Sequence, residues 1–423
     1  MSKPYGEDSH DRRVRRPGQA LEGKVNLLVI HEVNYSSKII YEFQILPEIL
    51  SMLGHSVTIV DYDDTWKNLP KTSVFRRRRV LKNTQRAYAE ASVTVHTPGM
   101  IGVPLLSRIS GAISCGMEIL RVMGSRRFDA VVLYGLPTVG VQALCAARAF
   151  RVPILFRSID VLNQLVPYPA LKGPTKVLER FIYRRVDGIS CVTPHLKAHI
   201  EACGAPPSRV EVLPSGVDVG LFSPGQRDEA LLARWGICGS DPVILFMGTL
   251  YSFSGLDVVI AGFEQILKAH AGARLLIVGD GEDQERLRFL ASEHGIDKHV
   301  IFTGRQPYAL LPDIIRSSDL CINPFEVNPI TRNILPTKLF QYLACGKPVL
   351  MTELPGTLPF LKGPQDGVVY CSLDNFADML RDLLGDRSRL KKLGIASLQV
   401  AHRDYDWQTI ARRFAGWIQS AMN

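Results

Sequence analysis

A chain of 423 residues with 46% hydrophobic and 22% charged residues is too long for one ordinary domain and is composed like a folded globular protein. Its formal charge of +9 favours anionic partners: nucleic acid, an anionic membrane face or a phosphate-bearing substrate. No stretch reaches the ~20 uninterrupted apolar residues of a spanning helix, and the start of the chain is too polar for a signal peptide. The eight cysteines lie far apart, with no Cys-x-x-Cys and no histidine at zinc spacing. These features predict a cytoplasmic protein with buried free thiols and no metal.

Residues 1–23 read as a disordered basic tail. A buried strand is predicted over 25–30, then an amphipathic helix over 39–53 that Gly54 ends, then a strand over 57–61. Residues 80–97 are ambiguous. Strands over 130–134, 154–157 and 188–193 alternate with helices over 140–150, 175–185 and 194–202. After a turn-rich seam at 213–225 the rhythm restarts, with strands over 243–247, 274–278, 300–303, 320–323 and 349–351. Helices over 256–270, 282–294, 308–317 and 336–345 separate them. Short apolar strands between helices indicate parallel sheets covered on both faces. The predicted architecture is two Rossmann-like, doubly wound α/β domains, 24–213 and 214–406, with 407–423 packing back on the first. Ligands then bind at the carboxyl ends of the strands, in the cleft between the domains.

The strongest local pattern runs from Asn333 to Val349. Pro336 suits the first helical position, Gly346 a left-handed stop, and Pro348 prevents continuation. Leu339, Tyr342 and Leu343 give this helix its buried face. The amides of Thr337 and Lys338, with the Lys338 cation, make a phosphate seat at the helix start. Gln341 lies one turn on, where it could bond a ribose hydroxyl.

This segment resembles glycosyltransferase family four, as do Pro214-Ser-Gly-Val-Asp, Phe246-Met-Gly-Thr-Leu, Ile277-Val-Gly-Asp-Gly-Glu and Val300-Ile-Phe-Thr-Gly. The resemblance covers 213–370 in order and spacing, and Trp407 is similar to the start of the family's closing segment. It implies a GT-B fold, a nucleotide-sugar donor held by the second domain, and retention of anomeric configuration. The family's two glutamates are replaced by Asn333 and Gln341, and its usual Arg and Lys after the Met-Gly strand by Thr249 and Ser254. The Pro336-Thr337-Lys338 helix start resembles a subgroup that acts on lipid-linked or polysaccharide sugars.

Carried onto this chain, the resemblance places Gly248, Thr249, Gly279, Gly304, Arg305, Glu326, Arg332, Pro336, Thr337 and Gln341 around the donor. Lys338 and Asn333 are candidates at the reacting centre. Arg157 and Asp160, a charged pair at a strand's carboxyl end, are read either as acceptor chemistry reaching toward the diphosphate or as a domain-internal salt bridge. His31, Glu32 and Lys38, in the loop after the first strand, are acceptor-side candidates, with a structural histidine the alternative for His31. No cofactor and no metal are expected, since the family's leaving phosphate can take the acceptor proton itself.

Arg76 to Arg79, with Lys82, Arg86, Trp66 and Phe75 nearby, predict reversible contact with an anionic membrane, or else a solvated basic face. The expected function is sugar transfer to a glycan or lipid-linked acceptor in polysaccharide or glycoconjugate synthesis. The alternatives are a sugar-nucleotide epimerase of the same fold, a catalytically degenerate binder, and a nucleic-acid binder. The last is weakest, because the arginine runs lack interleaved aromatics.

Overall fold

The computed structural model describes residues 23–37, 40–63, 74–103, 106–162 and 169–422. Lys38 and Trp66 lie outside them.

The first domain is built on an eight-stranded sheet ordered β10-β9-β8-β7-β1-β2-β5-β4. Its strands are β1 (Asn26–Ile30), β2 (Ser56–Val60), β4 (Arg79–Thr84), β5 (Val93–Thr97), β7 (Ala130–Leu133), β8 (Ile154–Ser158), β9 (Gly188–Cys191) and β10 (Val210–Val212). All pair in parallel except β4, which runs antiparallel at the edge. The ambiguous 80–97 segment thus holds two strands. A separate short pair, β3 (Phe75–Arg76) and β6 (Met100–Ile101), lies beside the sheet.

Helices cover both faces. On one lie α2 (Leu106–Ser125), α3 (Gly140–Phe150), α4 (Pro169–Tyr183) and α5 (Pro194–Ala202), whose Ile119, Ala143, Ile182 and Ile200 share a core with Val131 and Phe156. On the other, α1 (Glu42–Met52) packs against the C-terminal helix, Trp407–Met422. Trp407, Ile410 and Phe414 of that last helix are buried with Ile45, Leu46 and Ile49 of α1. The chain returns to the first domain beside the outgoing seam: the Val217 amide donates to Tyr405 O, and the Trp407 amide to Val217 O.

The second domain has six parallel strands ordered β13-β12-β11-β14-β15-β16. They are β11 (Val243–Met247), β12 (Arg274–Val278), β13 (Val300–Gly304), β14 (Leu320–Asn323), β15 (Val349–Thr352) and β16 (Val368–Cys371). β11 is wholly buried, as a central parallel strand must be.

Several helices differ from the sequence reading. The first begins at Glu42, where the Gln44 side chain accepts from the Tyr41 amide. The helix read over 256–270 is two, Leu256–Ala261 and Phe263–Ala269, broken at Gly262. A Cβ there would come within 2.5 Å of Ala377 Cβ, so close packing selects the glycine. The 20-residue α2 falls in a stretch where no element was expected, although Cys115, Ile119, Val122 and Met123 recur on its buried side at helical spacing. None of the eight cysteines forms a disulfide.

Candidate active site

The candidate donor side is assembled from three strand ends. Beyond β11, β12 and β13 the backbones stay paired: the Gly248 amide donates to Val278 O at 2.9 Å, and the Gly279 amide to Gly304 O at 3.0 Å. Gly248 and Gly279 have φ of 145° and 137°. A Cβ on Gly279 would stand 1.9 Å from Gly248 O, so no side chain fits and the loop backbones lie against each other.

Lys338 meets this floor from the helix Lys338–Ala344. Tyr342, one turn after the lysine, accepts from the Met247 amide at 2.8 Å, which docks the helix on the end of β11. The helix closes as its sequence dictates, with Gly346 at φ 70° and the Lys347 amide donating to Tyr342 O. It starts at Lys338, two residues later than read, so Pro336 precedes it and Thr337 is the N-cap.

The Lys338 ammonium lies 3.8 Å from the Phe246 ring centre and 4.4 Å from that of Phe325. It has no hydrogen-bond partner, though its stem is partly exposed. Burial pushes it well below the usual lysine range. The nearest side-chain position on the glycine floor, a Cβ built on Gly248, would be 3.6 Å from Nζ. A desolvated cation with only aromatic faces around it, beside open backbone, is arranged to receive an anion.

The other donor candidates spread around this point. Thr249 is exposed beside Gly248. Glu326, Arg332 and Asn333 lie on the loop between β14 and the lysine helix, pinned where the Gly356 amide donates to Arg332 O at 2.7 Å. Arg305 is exposed and paired to Asp280 at 3.0 Å, beside Gly304. Gln341 and Thr337 line a small cavity at the domain seam with Tyr41, Ser215 and Asp218. Gln341 and Tyr308 line that cavity together.

Residues 241–386 match the family description "Glycosyl transferases group 1", and residues 48–216 match "Glycosyl transferase 4-like domain". A D-inositol 3-phosphate glycosyltransferase 1 of Catenulispora acidiphila is 30% identical over 334 residues, 75% of this chain and 77% of that one. The chain belongs to glycosyltransferase family four. A GDP-mannose-dependent alpha-(1-6)-phosphatidylinositol monomannoside mannosyltransferase of Mycobacterium tuberculosis is 26% identical over 71% of this chain and 85% of its own. Among solved structures, sucrose-phosphate synthase from Thermosynechococcus elongatus shares the fold with TM-score 0.69 at 16% identity, covering 94% of this chain and 99% of that one. Anabaena Alr3699/HepE in complex with UDP and glucose does so with TM-score 0.69 and 16% identity, over 94% and 100%. The two parallel-sheet domains are those of a GT-B enzyme, and the chain is a nucleotide-sugar-dependent glycosyltransferase.

In this glycosyltransferase the first-domain candidates need correction. Arg157 does not face the cleft. It donates through Nε to Glu42 Oε1 at 2.6 Å and through Nη2 to Oε2 at 3.1 Å, both side chains being 0% exposed. Its Nη1 donates to Leu213 O, and Ser215 Oγ donates to Glu42, so the pair ties α1 and β8 to the seam. Asp160, expected as its partner, is exposed and unconnected to it by any hydrogen bond among the described residues. His31 is 1% exposed and packs on Phe43. Glu32 accepts from the Thr138 and Val139 amides and from Thr138 Oγ1, with Arg108 at 3.4 Å, which holds the turn into α3.

The basic run is also mostly engaged. Arg76 and Arg79 pair with buried Asp63, and Arg78 with buried Glu118; Arg77 has no carboxylate partner among the described residues. Arg86 donates to Tyr35 O at 2.8 Å. One cysteine does have a histidine neighbour: Cys203 Sγ is 3.7 Å from His199 Nε2, itself 3.8 Å from Glu179, a group that could hold a cation.

Sequence reasoning missed His195. It is exposed in the first turn of α5, directly after β9, where Thr193 caps the helix by accepting from the Leu196 amide. Burial lowers its pKa, with His199 and then Arg332 of the second domain acting in the same direction. Arg332, from the loop before the lysine helix, is thus among the charges that act on His195. The signal available was position alone, a Thr-Pro-His helix start at a strand's carboxyl end.

Proposed function

We propose that this glycosyltransferase transfers a sugar, with retention of configuration, from a nucleoside diphosphate sugar to a glycan or lipid-linked acceptor. Supporting this reading above all is Lys338: a buried ammonium with no hydrogen-bond partner, beside the Gly248–Gly279 floor. A donor diphosphate there gives the cation its missing partner, on a floor that no side chain obstructs.

In the reaction, the acceptor oxygen bonds to the anomeric carbon as the bond to the β-phosphate oxygen breaks. That phosphate oxygen, on the same face, receives the acceptor proton. Lys338 stabilises the charge that builds on the departing phosphate, while Asn333, Glu326, Arg332 and Thr337 position the donor. His195 and Asp160 stand on the acceptor side of the cleft.

A lipid-linked acceptor is favoured by the Pro336-Thr337-Lys338 pattern and by the acceptor that names the Mycobacterium tuberculosis relative, a phosphatidylinositol monomannoside. No helix among the described residues is long and apolar enough to cross a membrane, so this chain would meet such an acceptor at the surface.

The test is nucleoside diphosphate release from GDP-mannose, UDP-glucose and related donors, with phosphatidylinositol glycan vesicles or soluble glycans as acceptors. One donor should turn over and the lipid acceptor should stimulate it. Nucleotide binding without transfer to any acceptor overturns the reading.

A further inference from the structure

The two helices that flank β9 in the chain, α4 and α5, bring a thiol, an imidazole and a carboxylate to one place. His199 lies in the last turn of α5, and Cys203 caps that turn, its amide donating to His199 O and Ile200 O. Their four-residue spacing puts both side chains on one side of the helix end. Glu179, on α4, meets them there. Cys203 Sγ is 3.7 Å from His199 Nε2, and Glu179 Oε2 is 3.8 Å from the same nitrogen. The three atoms lie within 4.8 Å of one another. The Glu179 and His199 side chains are 0% and 21% exposed, and Cys203 is 2% exposed.

The group is not a nucleophile with its base. In a thiol–imidazole–carboxylate relay the thiol and the carboxylate meet opposite nitrogens of the ring, whereas here both approach Nε2. Hydrogen bonding does not explain it either. A ring nitrogen of neutral histidine is a donor or an acceptor, not both, and 3.8 Å to Glu179 is too long for a hydrogen bond. Three ligand atoms gathered round one interior point are the arrangement of a metal centre. With zinc bonds of about 2.3 Å to sulfur, ~2.0 Å to nitrogen and ~2.1 Å to oxygen, tetrahedral angles set ligand atoms about 3.4–3.6 Å apart. The sulfur–nitrogen and nitrogen–oxygen gaps here are within a few tenths of an ångström of that. A thiolate with an imidazole and one carboxylate selects zinc over magnesium or calcium, which take oxygen ligands.

We propose that Glu179, His199 and Cys203 bind one zinc ion, with water from the open side of His199 as the fourth ligand. Cys203 coordinates as the thiolate, its proton passing to solvent. The ion compensates the buried Glu179 carboxylate and clamps α4 to α5. α5 follows β9 and carries His195 in its first turn, one turn before His199 on the same side. The clamp therefore fixes the helix from which His195 projects. The site belongs to the first domain, whereas Gly248, Gly279 and Lys338 belong to the second, so the ion is a clamp and not part of the transfer chemistry.

The test is Zn²⁺ and Co²⁺ binding by the full chain, stripped beforehand with a chelator. Wild type should take one tight equivalent of Zn²⁺ in competition with a chromophoric chelator, and Co²⁺ in its place should show a thiolate-to-metal charge-transfer band. Cys203→Ser should abolish that band. Cys203→Ser and His199→Gln should each weaken Zn²⁺ binding at least about a hundredfold, since even outer-shell partners of a ligand contribute about tenfold to a hundredfold. Zn²⁺ should raise the melting temperature of wild type and leave that of Cys203→Ser unmoved. Should Cys203→Ser not fold, His199→Gln, at a part-exposed side chain, carries the same comparison. Cys238→Ser, at an exposed thiol elsewhere, should match wild type throughout. No tight equivalent in wild type overturns the proposal, as does a charge-transfer band that survives Cys203→Ser or is lost in Cys238→Ser. Nucleoside diphosphate affinity should be the same with and without Zn²⁺. A melting temperature that Zn²⁺ does not move, or a nucleotide affinity that depends on it, overturns the clamp.

Discussion

Glu42 and Arg157 form a two-pronged ion pair from which water is excluded on both sides, although 115 residues separate them in the chain. Glu42 opens α1, Arg157 is next to last in β8, and the two reach the seam through Ser215 and Leu213. The pair is sealed inside the first domain, so Arg157 is out of reach of a ligand.

Breaking this pair from one side leaves a buried, uncompensated charge. Arg157→Leu should destabilise the first domain by about 3–5 kcal/mol, seen as a lower urea midpoint in tryptophan fluorescence. Glu42→Gln/Arg157→Leu should recover part of the loss. In the protein that remains folded, nucleoside diphosphate affinity should stay within about twofold, the opposite of what a phosphate ligand would show.

The glycine floor gives a second test. Gly279→Ala combines φ of 137° with a Cβ 1.9 Å from Gly248 O, so the paired loops must separate. Nucleoside diphosphate affinity should fall more than about tenfold, beyond the ~1–2 kcal/mol of left-handed strain alone. Gly295→Ala is the control. It has φ of 64° with nothing within 4 Å of the new Cβ, so it should show the strain and keep its affinity.

Proton linkage reports on Lys338. Burial lowers its pKa in the free enzyme, and an arriving diphosphate raises it again. Between the free and bound values, binding takes up a proton, so affinity should fall as pH rises through that window. Calorimetric titrations in buffers of different ionisation enthalpy should show uptake that vanishes in Lys338→Met. For stability the sign is opposite to that of a partnered lysine. The unfolded chain holds more protons than the folded one between the lowered pKa and the ordinary value, so unliganded stability rises with pH there.

The strand and helix rhythm was legible because parallel strands buried on both faces must be short apolar runs, as Val243–Met247 is. The Lys338 helix was legible from its glycine stop and its buried Leu339, Tyr342 and Leu343. Its start was not, since a proline marks a helix boundary only to within a turn. Arg157 looked like a ligand because a charge at a strand end is equally a site or a pair, and its partner sits a hundred residues away. α2 went unread although Cys115, Ile119, Val122 and Met123 recur at helical spacing, because apolar residues such as Ile109, Ile113 and Met117 line its outer face as well. His195 was passed over because an exposed histidine in a helix's first turn carries no motif of its own.

The central claim is that the donor diphosphate rests on the Gly248 floor against Lys338. Calorimetric titration of GDP and UDP into wild type, Lys338→Ala and Arg157→Lys tests it most directly, with thermal melting to show that each variant is folded. A charge-assisted hydrogen bond contributes roughly 1.5–3 kcal/mol, so the better nucleotide should bind Lys338→Ala about tenfold to a hundredfold more weakly and Arg157→Lys nearly as well as wild type. Equal affinity in Lys338→Ala and wild type, or a loss confined to Arg157→Lys, would contradict it.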